Sequence, residues 1–298
     1  MRPVDRRQFL ASSVSAAAAG AFLSTASAPL FAAEEVKKPK LRIAVKYGMI
    51  QAGTTPLEKL ELAKKLGLKG VEIDSPSGID KEALKEASEK TGIVVHGVID
   101  SVHWKDTLSS ADAAVREKGR VALEGALRDA KMFNADTVLL VPGVVKDDVT
   151  YEQCFERSTA EVKKVLPLAE ELKIKICIET VWNNFITKPE QLIEYVDHFQ
   201  SPWVAAYFDC SNMLKYGVAS AEWIRKLGPK RLAKFDFKGY SNKNSWCKIG
   251  DGDEDWPEVL KALGEIGYDG WATSEVGGGG EEVLRDVVTR MNKVLELA

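Results

Sequence analysis

Eight short apolar runs alternate with long amphipathic stretches, and this alternation constrains the fold more than any other feature of the chain. The runs are RIAVKYGMI, GVEID, VVHGVID, TVLLVPG, KICIET, VAAYFD, LAKFDFKG and GWATSE. Between most of them lie helical patterns such as TPLEKLELAKKLG and DWPEVLKALGEIG. The latter carries Asp255 ahead of the helix and Pro257 in its first turn, both helix-start signals. Repeated strand–helix alternation implies a parallel sheet, because the helical crossover returns the chain to lay the next strand parallel to the last. Eight units in about 260 residues match a single (β/α)8 TIM barrel in count and size. An open doubly wound sheet is the alternative. Its dinucleotide-binding form is weakened because no G-x-G-x-x-G opens the first unit. No linker-like segment divides residues 40–298, which are read as one domain.

The first 33 residues read differently. DRRQFLASSVSAAAAGAFLSTASAPLFAAEE has a charged start, an apolar middle and small residues near two candidate cuts, Ala28 and Ala33. Arg6-Arg7 followed by Gln8-Phe9-Leu10 matches a twin-arginine (Tat) export signal. An uncleaved membrane anchor is the alternative, but the apolar stretch is short and rich in Ala and Ser, so it would span a bilayer poorly. The expectation is therefore a periplasmic or otherwise exported protein, delivered folded by the Tat machinery, with no stable membrane insertion of the mature chain. Of 298 residues, 45% are apolar and 29% charged, and the net charge is −3. That balance suits a soluble globular domain and leaves no basic face for nucleic acid. Cys154, Cys177, Cys210 and Cys247 are too widely spaced for a C-x-x-C metal motif. Cys177 and Cys210, in apolar strand contexts, read as core residues.

In a TIM barrel the chemistry sits where strands end and the following loops begin. KICIET ends an apolar run on Glu179, an expensive place for a carboxylate without a partner. The next three runs end similarly, at Asp209, at Asp236 with Lys238, and at Glu275, with intervals of 30, 27 and 39 residues between the acids. Four carboxylates from four consecutive strands would thus meet at one mouth, where like charges repel and push each other's pKa upward. A divalent cation removes that repulsion. An all-oxygen set favours a hard ion, Mn²⁺ or Mg²⁺. Each acid taken singly has an ordinary reading as a helix cap or loop residue, but four at matched positions do not.

These residues, together with SVHWKDTLSS, VLLVPGVV, IETVWNNF, YFDCSNMLKYG, KFDFKGYS and IGDGDEDWPEVLKALGEIGYDGW, make the chain resemble the xylose-isomerase-like TIM barrels, a superfamily of sugar isomerases and epimerases that includes endonuclease IV. It is most similar to exported members called sugar phosphate isomerase/epimerase. The resemblance covers nearly the whole mature chain. It implies metal binding by the strand-five Glu, the strand-six Asp, a strand-seven residue and the strand-eight Glu, here Glu179, Asp209, Asp236 and Glu275. Two positions depart from the common pattern. Asp236 stands where many members have the His of an HxKD motif, and DCSN puts Asn212 where many have a His. With only His96, His103 and His198, the chain lacks the ligands of the three-metal DNA-repair members.

The chemistry implied is proton transfer beside a carbonyl. Glu179 and Glu275, on opposite faces of a keto sugar, would remove and return a proton, giving epimerisation or aldose–ketose isomerisation through an enediolate. Lys238 would neutralise an enediolate oxygen. His103, after strand three, either packs on Trp104 or acts as a proton donor. In the second case the same site would support β-elimination from a 3-keto-glycoside. Trp104, Trp182, Asn183 and Asn212 are candidate sugar contacts, and Glu72 is placed near the mouth of strand two. His96 reads as a barrel residue and His198 as a helix end. An unphosphorylated keto sugar or glycoside is expected, because GGGG at 277–280 is followed by Glu281 and Glu282, which repel phosphate. The partners expected are that small sugar, the export machinery and, left open, further copies of the chain. A non-catalytic periplasmic sugar-binding protein is the competing function from another class.

Overall fold

The computed structural model describes residues 38–296. The export signal read at residues 1–33 lies outside the described residues. β1 (Arg42–Lys46) leads through a 3-10 turn (Tyr47–Met49) to α1 (Pro56–Lys65), followed by β2 (Gly70–Ser75), α2 (Lys81–Thr91), β3 (Val94–Asp100), α3 (Ala113–Met132), β4 (Thr137–Leu140), α4 (Tyr151–Leu172) and β5 (Lys175–Glu179). The second half runs α5 (Pro189–Asp197), β6 (Val204–Asp209), α6 (Cys210–Leu214), α7 (Ser220–Arg231), β7 (Leu232–Phe237), a hairpin of β8 (Tyr240–Ser241) and β9 (Ser245–Trp246), α8 (Trp256–Glu265), β10 (Trp271–Ser274) and α9 (Glu281–Leu295). Eight parallel strands close in the order β1-β10-β7-β6-β5-β4-β3-β2, with Arg42 opposite Trp271 at the seam. The eight runs read from the sequence are the eight barrel strands, and the barrel is closed rather than open.

Local signals place the helices. Thr55 and Glu58 form a reciprocal capping box at α1, with Pro56 at its first position, and Thr150 and Gln153 do the same for α4. The Asp255 carboxylate accepts from the Glu258 N–H at the start of α8, as the sequence predicted. Every residue of β6, VAAYFD, is buried, which is why it reads as an unbroken apolar run: helices cover its outer face and the barrel interior its inner one. Cys177 and Cys210 are buried as expected, and all four cysteines are unbridged. Among the described residues no helix is long and apolar enough to cross a membrane.

Inside the barrel, apolar packing is confined to a small layer around Leu139, Cys177, Ala205 and Tyr207. Polar side chains fill the rest. At the lower end His96 stacks on Trp271 with ring centres 4.4 Å apart. Its Nδ1 faces the Lys234 ammonium at 3.3 Å and its Nε2 the Thr273 hydroxyl at 3.2 Å, so it is a barrel residue as read. His198 caps the end of α5. One layer higher, Lys46 pairs with Glu72 and, at 3.1 Å, with Asp236. Gly97 leaves the space for that network, since a Cβ there would lie 2.3 Å from Glu72 Oε1.

Candidate active site

The four acids converge. Glu179 closes β5, Asp209 closes β6, Asp236 is the penultimate residue of β7 and Glu275 directly follows β10. Each offers one carboxylate oxygen, and these lie within 4.8 Å of one another. Parity explains the convergence, because alternate side chains point into the barrel and parallel strands bring equivalent ends to one face. Asp209 and Asp236 are register partners across β6 and β7.

Two lysines share the site. Lys238 lies against Glu275 and 3.0 Å from Asp209, and a weak contact from Asn212 Oδ1 at 3.4 Å steadies it. The Asp209 carboxylate also accepts from the Asn212 N–H at 2.9 Å. Below, the Tyr207 hydroxyl lies 2.8 Å from Asp236 and 3.1 Å from Glu72. The five carboxyl groups Glu72, Glu179, Asp209, Asp236 and Glu275 therefore face two ammonium groups, an excess that favours a further cation. Burial raises the pKa of Asp209, and burial raises that of Asp236 to about 8 although Lys46 opposes it. Burial, reinforced by Glu275, raises Glu179 well above the carboxylate range. Glu179 is 4% exposed. Burial also acts against Glu275, but Lys46 and Lys238 outweigh it and hold Glu275 below its ordinary value.

A cavity of about 240 Å³ opens above these groups, lined among others by His103, Trp104, Glu179, Trp182, Asn212, Lys238 and Glu275. The His103 ring is buried, and its Nδ1 accepts the Val141 N–H at 3.2 Å. With Nδ1 occupied, a neutral ring carries its proton on Nε2. Burial pushes its pKa down to about 4. His103 thus reaches the cavity as a neutral hydrogen-bond donor. The imidazolium acid that β-elimination would use is disfavoured, so the lyase alternative loses its residue-level support. Trp104 is half exposed and meets His103 edge-on. Trp182 donates its indole N–H to the Asn212 carbonyl at 2.7 Å and stacks on Trp246 at 4.8 Å.

Two expected contacts lie elsewhere. Asn183 is fully buried: its Nδ2 donates to the Gly143 carbonyl and its Oδ1 accepts from the Phe185 and Ile186 N–H groups. It fixes the loop after β5 and does not line the cavity. Glu72 sits mid-strand, inside the barrel beneath the mouth, where it pairs with Lys46. One inward step further along β2, Asp74 is exposed and lies close enough to Glu275 for their charges to interact. The sequence reading missed Lys46, Tyr207 and Trp246. Lys46 ends β1 but lies in the middle of the run RIAVKYGMI, so reading the last residues of each run passes over it.

The donor set fits a hard divalent ion. It is all oxygen, carries excess negative charge and includes buried carboxylate oxygens on Asp209, Asp236 and Glu275 that accept no well-directed hydrogen bond. A stability measurement tests this. The raised carboxyls hold protons more tightly in the folded than in the unfolded chain. Their contribution is complete below the ordinary carboxylate pKa and is lost as pH rises through about 8, the value for Asp236. The melting temperature in EDTA should therefore fall between about pH 5 and 8. Mn²⁺ should restore it increasingly over the same range, by about 2.7 kcal/mol at a hundredfold excess over Kd. Identical melts with Mn²⁺ and EDTA at every pH would remove the metal site.

A closed parallel barrel with acids and lysines gathered at the C-terminal ends of its strands defines a class, the TIM barrels, whose active sites sit at that face. The chain belongs to the xylose isomerase-like TIM barrel family, whose model matches residues 60–294. Among curated proteins it is 28% identical over 179 residues to the L-ribulose-5-phosphate 3-epimerase UlaE of Escherichia coli, a match spanning 55% of this chain and only 62% of that protein. An uncharacterized protein of Methanocaldococcus jannaschii is 26% identical over 256 residues, 78% of this chain and 84% of the other. Solved structures agree on the fold. A D-tagatose 3-epimerase-like protein aligns with TM-score 0.74 and 20% identity over 86% of this chain and 97% of its own. The IOLI protein with a bound zinc atom aligns with TM-score 0.74 and 17% identity over 86% and 98%. The 3-keto-D-glucoside 4-epimerase YcjR from E. coli aligns with TM-score 0.72 and 15% identity over 86% and 99%.

Proposed function

We propose that this protein is a metal-dependent sugar epimerase or isomerase acting on an unphosphorylated keto sugar or glycoside, exported through the twin-arginine pathway. The observation that carries the reading is the pair Glu179 and Glu275. Two carboxyl groups at one mouth are driven apart in pKa, Glu179 up and Glu275 down. Placed in the cluster whose carboxylate oxygens lie within 4.8 Å of one another, the pair can serve as one proton acceptor and one proton donor on a substrate held at the mouth.

Glu275 as carboxylate takes the proton from the carbon beside the substrate carbonyl. The C–H electron pair moves into the new C=C bond, and the carbonyl π pair moves to oxygen, giving an enediolate. Glu179 delivers its proton to that carbon from the other face for epimerisation, or to the neighbouring carbon for isomerisation, in which case the hydroxyl proton on the first carbon passes to the former carbonyl oxygen as the new C=O forms. Exchange with solvent resets both groups. Glu179, Asp209, Asp236 and Glu275 would hold the divalent ion, which supplies Lewis-acid polarisation of the carbonyl. The Lys238 ammonium stands beside Glu275 and stabilises the negative oxygen. His103 donates through Nε2–H to a hydroxyl, Trp104 and Trp182 offer faces to the ring, and Ile99, Leu139 and Val181 exclude water.

A neutral substrate is favoured because, among the described residues, Lys238 is the one lysine or arginine lining this cavity and is already paired with Asp209 and Glu275. The test is incubation in D₂O with a panel of keto sugars and 3-keto-glycosides, with Mn²⁺ and with EDTA. Mn²⁺-dependent deuterium at one carbon of a converted sugar supports the proposal. Tight sugar binding without exchange would instead make this a sugar-binding protein.

A further inference from the structure

We infer that the substrate has two parts: the reacting sugar fills the cavity over the carboxylates, and an apolar aglycone leaves it across Trp246 into a separate, larger groove. This deepens the epimerase/isomerase proposal and rests on it. The groove, about 1030 Å³, runs between the segment after β9 and the first turns of α9 and shares Lys238, Trp246 and Glu275 with the catalytic cavity. It is thus continuous with the site and about four times its size.

The groove's chemistry selects the occupant. Its walls include Trp246, Ile249, Val276, Val283 and Val287. Trp246 is 48% and Val283 44% exposed, unusual for such large apolar groups. Stacking on Trp182, with ring centres 4.8 Å apart, fixes the plane of the indole. Most charged groups at the rim are engaged with one another, Lys248 with Asp286 at 2.9 Å, Arg290 with Asp251 at 2.9 Å and with Asp286 at 3.2 Å, and of the α9 side chains in the lining Glu282 is the exposed acid outside these pairs. A second sugar would need hydrogen-bonding side chains free to meet its hydroxyls, whereas a flat apolar group needs only this surface. An aryl glycoside of a keto sugar satisfies both compartments.

Paired ligands test this: the methyl and phenyl 3-keto-β-D-glucosides, titrated by calorimetry into wild type and into V283D. Val283 lies in the first turn of α9, where an aspartate is compatible with the helix. The phenyl compound should bind wild type about tenfold or more tightly than the methyl one, as burial of a phenyl ring implies. V283D should reduce that ratio to near one. If both bind and V283D leaves the ratio unchanged, the groove holds no aglycone, and the epimerase reading stands without it. If neither binds and D₂O exchange also fails, the parent reading falls and the groove assignment with it. A wild-type oligomer that V283D dissociates without altering the ratio would make the groove a subunit interface and overturn the proposal.

Discussion

Glu179→Gln and Glu275→Gln should each lower deuterium exchange into the substrate by about 10²–10⁴-fold, the usual contribution of a positioned acid or base, while leaving the fold intact. Glutamine keeps the shape and removes the charge and the proton-transfer function. In the metal-free protein E179Q should melt no lower than wild type, because burial already disfavours the Glu179 carboxylate and the amide has no charge to desolvate. Circular dichroism would confirm the fold, and melts in EDTA would compare stability. The two variants should differ in one respect. E275Q removes a partner of Lys238, so its residual rate should depend on pH differently from that of E179Q. Full activity in either variant would show that the residue neither transfers a proton nor holds a necessary ion.

The second large effect is on stability. Lys46 ends β1 with its ammonium almost fully buried, beside Glu72 and Asp236. Burial opposes its charge, but Asp236, Glu72, Glu275 and Glu179 together hold its pKa well above the ordinary lysine value. Lys46→Met would leave two buried carboxyls with only Tyr207 between them. Removing one partner of a buried pair costs about 3–5 kcal/mol, roughly a 6–20 °C fall in melting temperature for a domain of this size. The loss should be largest above pH 8, where Asp236 would otherwise be ionised, and smaller near pH 5, where Asp236 holds its proton. Lys46→Met/Glu72→Gln should recover part of it by removing one stranded charge. A single variant that melts within 2 °C of wild type at high pH, well inside the scatter expected for a loss of about 1 kcal/mol, would mean that the network is not a buried ion cluster.

The barrel and the acid cluster were legible for a common reason. Strand parity and parallel order are one-dimensional rules, so a residue's place in an apolar run fixes its face and its end of the barrel. Applied to KICIE, VAAYFD, LAKFDF and WATS with the residue after it, those rules put Glu179, Asp209, Asp236 and Glu275 at one mouth. Glu72 shows where they needed more information. The run GVEID reads as ending at the mouth, but β2 extends to Ser75, which places Glu72 one layer down. Asn183 and Trp182 are neighbours in the sequence with opposite fates, since a loop follows no period and its side chains point wherever local hydrogen bonds send them.

By itself, then, the sequence determined the eight strand–helix units, their parallel order and the four carboxylates, because each depends on spacing along the chain. Tertiary structure alone decided which charges are shared. Lys46 meets Asp236 across a closed barrel, 190 residues apart, and no local pattern records a contact between strands that become neighbours of a common interior only after closure. Closure also decided that His103 is neutral, by burying its ring and giving Nδ1 to the Val141 N–H. It set Trp246 on Trp182 as well, and Trp246 lines both the cavity and the larger groove. These are properties of a three-dimensional enclosure, where the dielectric and the available partners are set by every strand at once.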